Sequence, residues 1–333
     1  MLKKIAQECH VAISTVSTAF NHPEKISKST RERIFTAAHE LGYFTRKHKI
    51  STIGICTYGL EHAMWSEFYI HILEGLYQAA ENQGIQIKFF SPKSILTYES
   101  IYDISGMIFL GKVAKETIQA VSNLKVPYLF CADPNIEFSA PAIYFDNQKG
   151  AFLATEYLIS KGHSSIALIL SDPSNQDFSC RERLIGHQLA IKKHGLEFSE
   201  TNIFYGDYEN FDLLETVLGQ ILRKSPQITA IFCESDVFAY KILAIAQKLG
   251  LQIPRDISLI GFDGISFPKL YFESEQILST IETDMLDLGK QALNFMIEII
   301  QKNEYKNKSI ILPVKLLTGN TVSELKPYLT KVI

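Results

Sequence analysis

From Ser51 onward the chain alternates short apolar runs with longer segments of helical periodicity, and nothing else in the sequence restricts the fold as strongly. The apolar runs are TIGICTY, IQIKFF, SGMIFLG, VPYLFC, AIYF, SIALIL, TAIFC and ISLIGF. Helical segments stand between and after them at residues 68–83, 147–161, 181–194, 235–249 and 284–301. Strand and helix in alternation mean parallel sheets, because parallel neighbours need a crossover and the crossover helices cover the sheet faces. The expected class is α/β. With 333 residues, 46% of them hydrophobic and 21% charged, the chain can build two such sheets with real cores, one before Gly162 and one after it.

The first fifty residues are of another kind. They hold nine Lys or Arg against four Glu, a net +5, which leaves −8 on the rest of a chain whose total is −3. A basic head on an acidic body suggests a nucleic-acid-binding module joined to something that binds no polyanion, although a solvated basic face has the same composition. Within the head, Leu2, Ile5 and Ala6 form one short apolar stripe, and Val16, Ala19 and Phe20 form a second after the break at Cys9, His10 and Val11. A third helix is predicted after Ser27, an N-cap, with Ile34, Ala37, Ala38 and Leu41 on its buried face and Gly42 as its stop. The second helix shows Ser14, Thr15, Ser17, Thr18 and Asn21 on its outer face. Short hydroxyl and amide side chains let a helix enter a major groove and reach phosphates or base edges, and they equally suit the polar surface of a helical hairpin.

The stretch IAQECHVAISTVSTAFNHPEKISKSTRERIFTAAHELGY decides between these readings, since its TVS core, the Asn ending the second helix, the TRERI segment and the closing ELGY resemble, in order and spacing, the DNA-binding headpiece of the LacI/GalR family of bacterial transcription regulators. On that resemblance Ile13, Ser14 and Thr18 read bases, while Thr15, Ser17 and Asn21 hold phosphates of double-stranded operator DNA. The sequence departs from the family in four places. His10 stands where Gly or Asn is usual at the turn, Ala12 where a Ser caps the recognition helix, and Thr18 where a longer side chain is common. In the fourth, Tyr43 runs through FTRKHKI straight into the first body strand, leaving no room for the hinge helix that family members wedge into the minor groove. The linker keeps Arg46, Lys47, His48 and Lys49, which suit an extended arm along phosphates.

In the body, DNQKGAFLATEYLISKGHSSIALI, RERLIGH, TAIFCESDVFAYKILAIAQKLGLQIPRDISLIGFD and LSTIETDMLDLGKQA resemble the effector domain of the same family, which is similar to periplasmic sugar-binding proteins. The resemblance implies a headpiece at 1–43, a linker at 44–50 and an effector domain at 51–323. It divides the latter into an N-lobe of about 51–162 plus 283–308 and a C-lobe of about 163–281 plus 309–323, with a sugar held between them.

Sugar hydroxyls require carboxylates, amides and Arg for their donors and acceptors, and an aromatic face for the apolar side of the ring. Residues of these types at strand ends and loop starts are Arg183, Ser235, Asp236, Asp263, Phe68, Tyr69 and Tyr208. Arg183 and Asp263 match the family's principal polar contacts, and Ser235 replaces a common Asn. Without the resemblance, Asp263 serves equally as a turn cap and Arg183 as a surface partner of Glu182. Lys149 either meets a charged ligand or turns away. The short linker and the CTYGLEHAMWSEFYIHILEG stretch are similar to a family branch that controls galactose or β-galactoside genes, which points to galactose or a galactoside.

Other classes find no support in the motifs. The chain has no GxxxxGK[ST], GxSxG, HExxH or strand-associated GxGxxG, so a non-enzyme without cofactor is expected. Its five cysteines are far apart and form no CxxC pair, which predicts neither a metal site nor a disulfide framework. No apolar run reaches the roughly 18 residues of a membrane span, and the N-terminus carries no signal core, so a cytoplasmic protein is expected. A homodimer follows from operator geometry, and the residues after Thr321 are too few for a tetramer-forming coil. The competing expectation is a sugar-binding sensor whose headpiece, altered at Ala12 and Thr18, no longer binds a specific operator.

Overall fold

Strands arise where the apolar runs were read, and the burial of the central ones explains why they are apolar. A computed structural model describes residues 1–43, 50–57, 67–96, 101, 104–171, 178–224, 227–265, 277–302 and 308–325. The chain forms two compact units, one of Met1–Tyr144 with Met285–Ile311 and the other of Phe145–Asp284 with the segment from Leu312 onward.

In the first unit the strands β1 (Thr52–Thr57), β2 (Gln86–Phe90), β3 (Gly106–Leu110), β4 (Tyr128–Cys131) and β5 (Ala142–Phe145) belong to a six-stranded sheet. Its sixth member is β11 (Ser309–Leu312), and the order is β11-β5-β4-β3-β1-β2. The pairings from β2 through β5 are all parallel. Central β1 and β3 are buried at every position, as strands covered on both faces must be.

Three short helices precede this sheet: α1 (Leu2–Glu8), α2 (Ile13–Asn21) and α3 (Lys28–Glu40). Ile5, Val16, Ala19, Ile34 and Ala38 form their solvent-free core. Phe20 closes it, edge-on to Phe35 at 5.0 Å and stacked on Tyr43 at 4.9 Å. The turn between α1 and α2 places His10 at φ +52, the left-handed conformation that a Gly adopts more readily. Ser27 caps α3 by accepting from the Thr30 N–H, and Gly42 at φ +66 ends it. The linker residues 44–49, including all four basic positions and the question of a hinge helix, lie outside the described residues.

Covering the first sheet are α4 (Glu67–Gln83), α5 (Pro92–Leu96), α6 (Lys115–Asn123) and the late helix α11 (Met285–Lys302). α4 and α11 meet backbone to backbone because each is a glycine at the crossing. A side chain on Gly75 would run into the Leu286 carbonyl, and one on Gly289 into that of Ile72.

The second unit contains β6 (Ile166–Ser171), β7 (Ile203–Gly206), β8 (Ala230–Cys233) and β9 (Ser258–Ile260), all parallel in the order β7-β6-β8-β9. Its helices are α7 (Asn147–Ser160), α8 (Phe178–Lys193), α9 (Phe211–Lys224) and α10 (Asp236–Lys248), and a short antiparallel pair joins β10 (Thr280–Glu282) to β12 (Lys315–Leu317). The first crossing between units falls at Tyr144/Phe145, which corrects the expectation that the N-lobe extends to about residue 162. The reason is α7, which packs on α8 of the second unit. Gly186 of α8 sits so close that a Cβ there would strike the Gln148 carbonyl, and Gly150 of α7 leaves room for the Phe262 ring. Gly162, at φ +92, merely turns the chain from α7 into β6. The return crossings fall at Asp284/Met285 and Ile311/Leu312.

Because the Gly186 contact is with backbone, no neighbouring rotamer can relieve it. Gly186→Ala is expected to destabilise the chain by about 1–3 kcal/mol, read as a lowered midpoint in urea or thermal unfolding.

Candidate functional site

The headpiece presents one helix outward. Burial of Val16 and Ala19 fixes the rotation of α2, which leaves Ile13 48% exposed, Ser14 and Asn21 exposed, and Thr15, Ser17 and Thr18 half-buried. Two of these side chains bind within the helix. The Thr18 hydroxyl donates to the Ser14 carbonyl at 2.9 Å, and the Asn21 amide donates to the Ser17 hydroxyl at 3.4 Å. Ala12 occupies the N-cap of α2 in extended conformation and supplies no side-chain cap. Among the cations of the head, Arg31 is committed to the fold, being buried and donating to the Pro23 carbonyl at 3.3 Å. Lys3, Lys4, Lys25, Lys28 and Arg33 are exposed.

The second concentration of polar side chains lies in the second unit, at the carboxyl ends of β7, β8 and β9. An open parallel sheet offers ligands its carboxyl edge, where chains leaving adjacent strands diverge. Arg183, on the first turns of α8, is 7% exposed and sits with its guanidinium carbon 3.8 Å from the centroid of Phe262. Its Nε donates to Asn147 Oδ1 at 2.9 Å, its Nη1 to the Glu234 carbonyl, and its Nη2 to Asp263 Oδ1 at 3.3 Å. Asp263, just beyond β9, holds the unusual φ of +117, and its backbone carbonyl accepts from the Thr283 hydroxyl at 2.8 Å. Burial, with Glu234 nearby, pushes its carboxyl up to about 7 in spite of Arg183. Tyr208, just beyond β7, stacks on Phe238 at 4.3 Å and donates its hydroxyl to Glu234 Oε1 at 2.8 Å.

Three of the residues expected from the sequence, Arg183, Asp263 and Tyr208, therefore meet in one cluster. The sequence equally allowed a surface pair of Arg183 with Glu182, and the structure turns the guanidinium inward. Two others stand beside it. Ser235 caps α10 by accepting from the Phe238 N–H at 3.3 Å. Asp236 is fully buried and accepts from the Gly264 and Ile265 N–H groups at 2.8 and 2.7 Å and from the Thr280 hydroxyl at 2.6 Å. Asp236 thereby secures the turn after β9, and the Ser235 hydroxyl also bonds the Tyr208 side chain. Lys149 turns away, its ammonium 5.2 Å from the Phe152 ring centroid on the exposed flank of α7.

Phe68 and Tyr69 belong to the first unit, edge to face at 5.3 Å. Tyr69 lies against Gly111 at the end of β3, where a Cβ would come within 2.5 Å of its hydroxyl. Asn147 and Glu234 were missed by sequence reasoning. Each immediately follows the end of a strand region, Asn147 after β5 and Glu234 after β8, which is the signal that was available.

Residues 1–46 match the family described as bacterial regulatory proteins, lacI family, and residues 155–322 match the periplasmic binding protein-like domain. The chain belongs to the lacI family of bacterial regulatory proteins. Among its relatives, the HTH-type transcriptional repressor CytR of Escherichia coli (strain K12) is 27% identical over 97% of this chain and 96% of its own length. The repressor PurR of Vibrio vulnificus (strain CMCP6) is 25% identical over 97% and 99%. Among solved structures, the CelR–cellobiose complex superposes with a TM-score of 0.73 at 22% identity, covering 96% of this chain and 99% of that one. The Lac repressor dimer bound to operator and the anti-inducer ONPF gives 0.70 at 22% identity, with 97% and 99% covered.

The regulator is thus a DNA-binding transcription factor whose relatives are repressors and not enzymes. Among the described residues no helix is long and apolar enough to cross a membrane, and no three His, Cys, Asp or Glu side chains are grouped as a metal site.

Two outcomes follow from this geometry. Ala12→Ser supplies the missing cap of α2 and is expected to stabilise the headpiece by about 1 kcal/mol, measured by its thermal unfolding. From about pH 4 to pH 7 the folded chain keeps a proton on Asp263 that the unfolded chain has released, so this residue lowers stability as pH rises. Asp263→Asn removes that dependence, and the melting temperature of the variant relative to the parent should climb across the same window.

Proposed function

We propose that this regulator is a repressor of a sugar-utilisation operon, its operator affinity switched by a small sugar, with galactose or a galactoside favoured. The observation that carries the sugar reading is the cluster of Arg183, Asn147, Asp263, Glu234 and Tyr208 at the carboxyl ends of the second sheet. It combines a bidentate-capable cation, amide and carboxylate acceptors and a stacked aromatic ring, which is the set a polyhydroxyl ring needs. The cellobiose complex of CelR and a ribose-bound LacI family regulator of Enterococcus faecium share the fold and support the effector class.

At the other end, Ile13, Ser14 and Thr18 are assigned to base edges and Thr15, Ser17 and Asn21 to phosphates. In the free protein Thr18 is held by the Ser14 carbonyl, so its hydroxyl keeps its acceptor capacity for DNA. The headpiece of 1–43 and the linker of 44–50 serve a homodimer in the cytoplasm, since two headpieces about one helical turn of DNA apart enter successive major grooves. Effector binding shifts a two-state equilibrium between forms of different operator affinity, as its differential affinity for the two forms requires.

The deciding experiment is binding to DNA from upstream of the regulator's own gene at two salt concentrations, with and without a panel of sugars. Operator-specific affinity should exceed salt-sensitive non-specific binding and change with one sugar. Thr18→Ala should weaken operator binding by about 1–3 kcal/mol while leaving non-specific binding unchanged. Uniformly weak binding, indifferent to sequence and to every sugar, would replace this reading with that of a sensor lacking operator specificity.

A further inference from the structure

We infer that Glu234 sets the charge class of the effector, so that the site takes neutral or cationic sugars and turns away anionic ones such as sugar phosphates and sugar acids. This rests on the sugar-effector reading above and goes beyond it by saying which sugars fit.

The argument begins with a balance of charges. Glu234, Asp236 and Asp263, each 5% exposed or less, lie close together, and of these carboxylates Asp263 pairs with the buried guanidinium of Arg183. Arg183 already commits three nitrogens to Asn147, the Glu234 carbonyl and Asp263. Asp236 is satisfied by internal donors. The Glu234 carboxylate has a different setting. It accepts from the hydroxyl of Tyr208, a residue 43% exposed, and so lies buried at the hydroxyl end of the ring against which a sugar packs.

Among the described residues, two cations of this unit near the strand ends face elsewhere and a third is already engaged at Tyr208. Lys149 lies over Phe152, Arg181 over Phe178, and the Lys241 ammonium binds the Tyr208 backbone carbonyl. Among the described residues, a phosphate or carboxylate brought to Tyr208 would meet the Glu234 carboxylate, and the Lys241 ammonium beside it is already bound to the Tyr208 carbonyl. A hydroxyl or ammonium brings the donor itself. Burial above all, with a contribution from Glu234, pushes the Asp263 carboxyl up to about 7.

The test is calorimetric titration of the full-length protein with galactose, galactosamine, galacturonate and galactose 6-phosphate, and with the four glucose counterparts. The expected result is binding of a neutral or amino sugar, with the matching acid and phosphate weaker on the order of 100-fold. In Glu234→Gln that gap should close to within about tenfold. Tyr208→Phe keeps both the ring and the Glu234 charge, so there the gap should persist even if Glu234→Gln fails to fold. An acid or phosphate that binds the parent protein as tightly as its neutral sugar overturns the inference while leaving the sugar reading intact. An unchanged gap in folded Glu234→Gln, or a lost gap in Tyr208→Phe, overturns the assignment to Glu234. Failure of every sugar to bind overturns the inference and the sugar reading together.

Discussion

A guanidinium buried against the face of Phe262 joins the parts of the second unit that would otherwise be separate loops. Arg183 reaches the start of α7 through Asn147, the end of β8 through the Glu234 carbonyl, and the loop after β9 through Asp263. Burying a cation this deeply is tolerable only when most of its donors are matched and a counter-charge is near. The arrangement therefore fixes the geometry of three chain segments at once. Asp263 is held at φ +117 within it, and Asp236 locks the following turn from behind through two backbone N–H groups. The fold itself thus holds these polar groups in place, and groups already in place cost little to order.

The scaffold behind that site depends on close backbone approach. α7 and α8 in one unit and α4 and α11 in the other are helix pairs brought together at glycines. Each pair joins segments distant in sequence or on opposite sides of a strand, so the glycines hold together elements that hydrogen bonding alone does not connect. The headpiece is built with thinner margins. Its small core of Ile5, Val16, Ala19, Ile34 and Ala38 is closed by the Phe20–Tyr43 stack, while His10 occupies a left-handed turn and α2 begins without a side-chain cap. α2 is thus held by packing more than by its own ends.

Much of this was legible beforehand. The alternation of apolar runs and helical periodicity led to parallel sheets because covered strands must be apolar. Ser27, Gly42 and the stripe on α3 located that helix because caps and periodicity are local effects. The outer face of α2 followed from which of its residues are apolar. The position of the first crossing between units was misread at Gly162, since a glycine marks a turn from helix to strand as readily as a change of unit. Residue type and position after a strand cannot show which donors a folded chain will direct at Ser235 and Asp236.

The sequence by itself determined the class of fold, the basic three-helix head, and the family to which both belong, because periodicity, caps and charge act over a few residues. Tertiary structure alone decided that Arg183 turns inward to Asn147 and Glu234 instead of outward to Glu182, that Lys149 leaves the site, and that α7 joins the second unit. Each of those outcomes depends on contacts between segments far apart in the chain, and on competition among several polar groups for the same buried donors. Local pattern does not encode that competition.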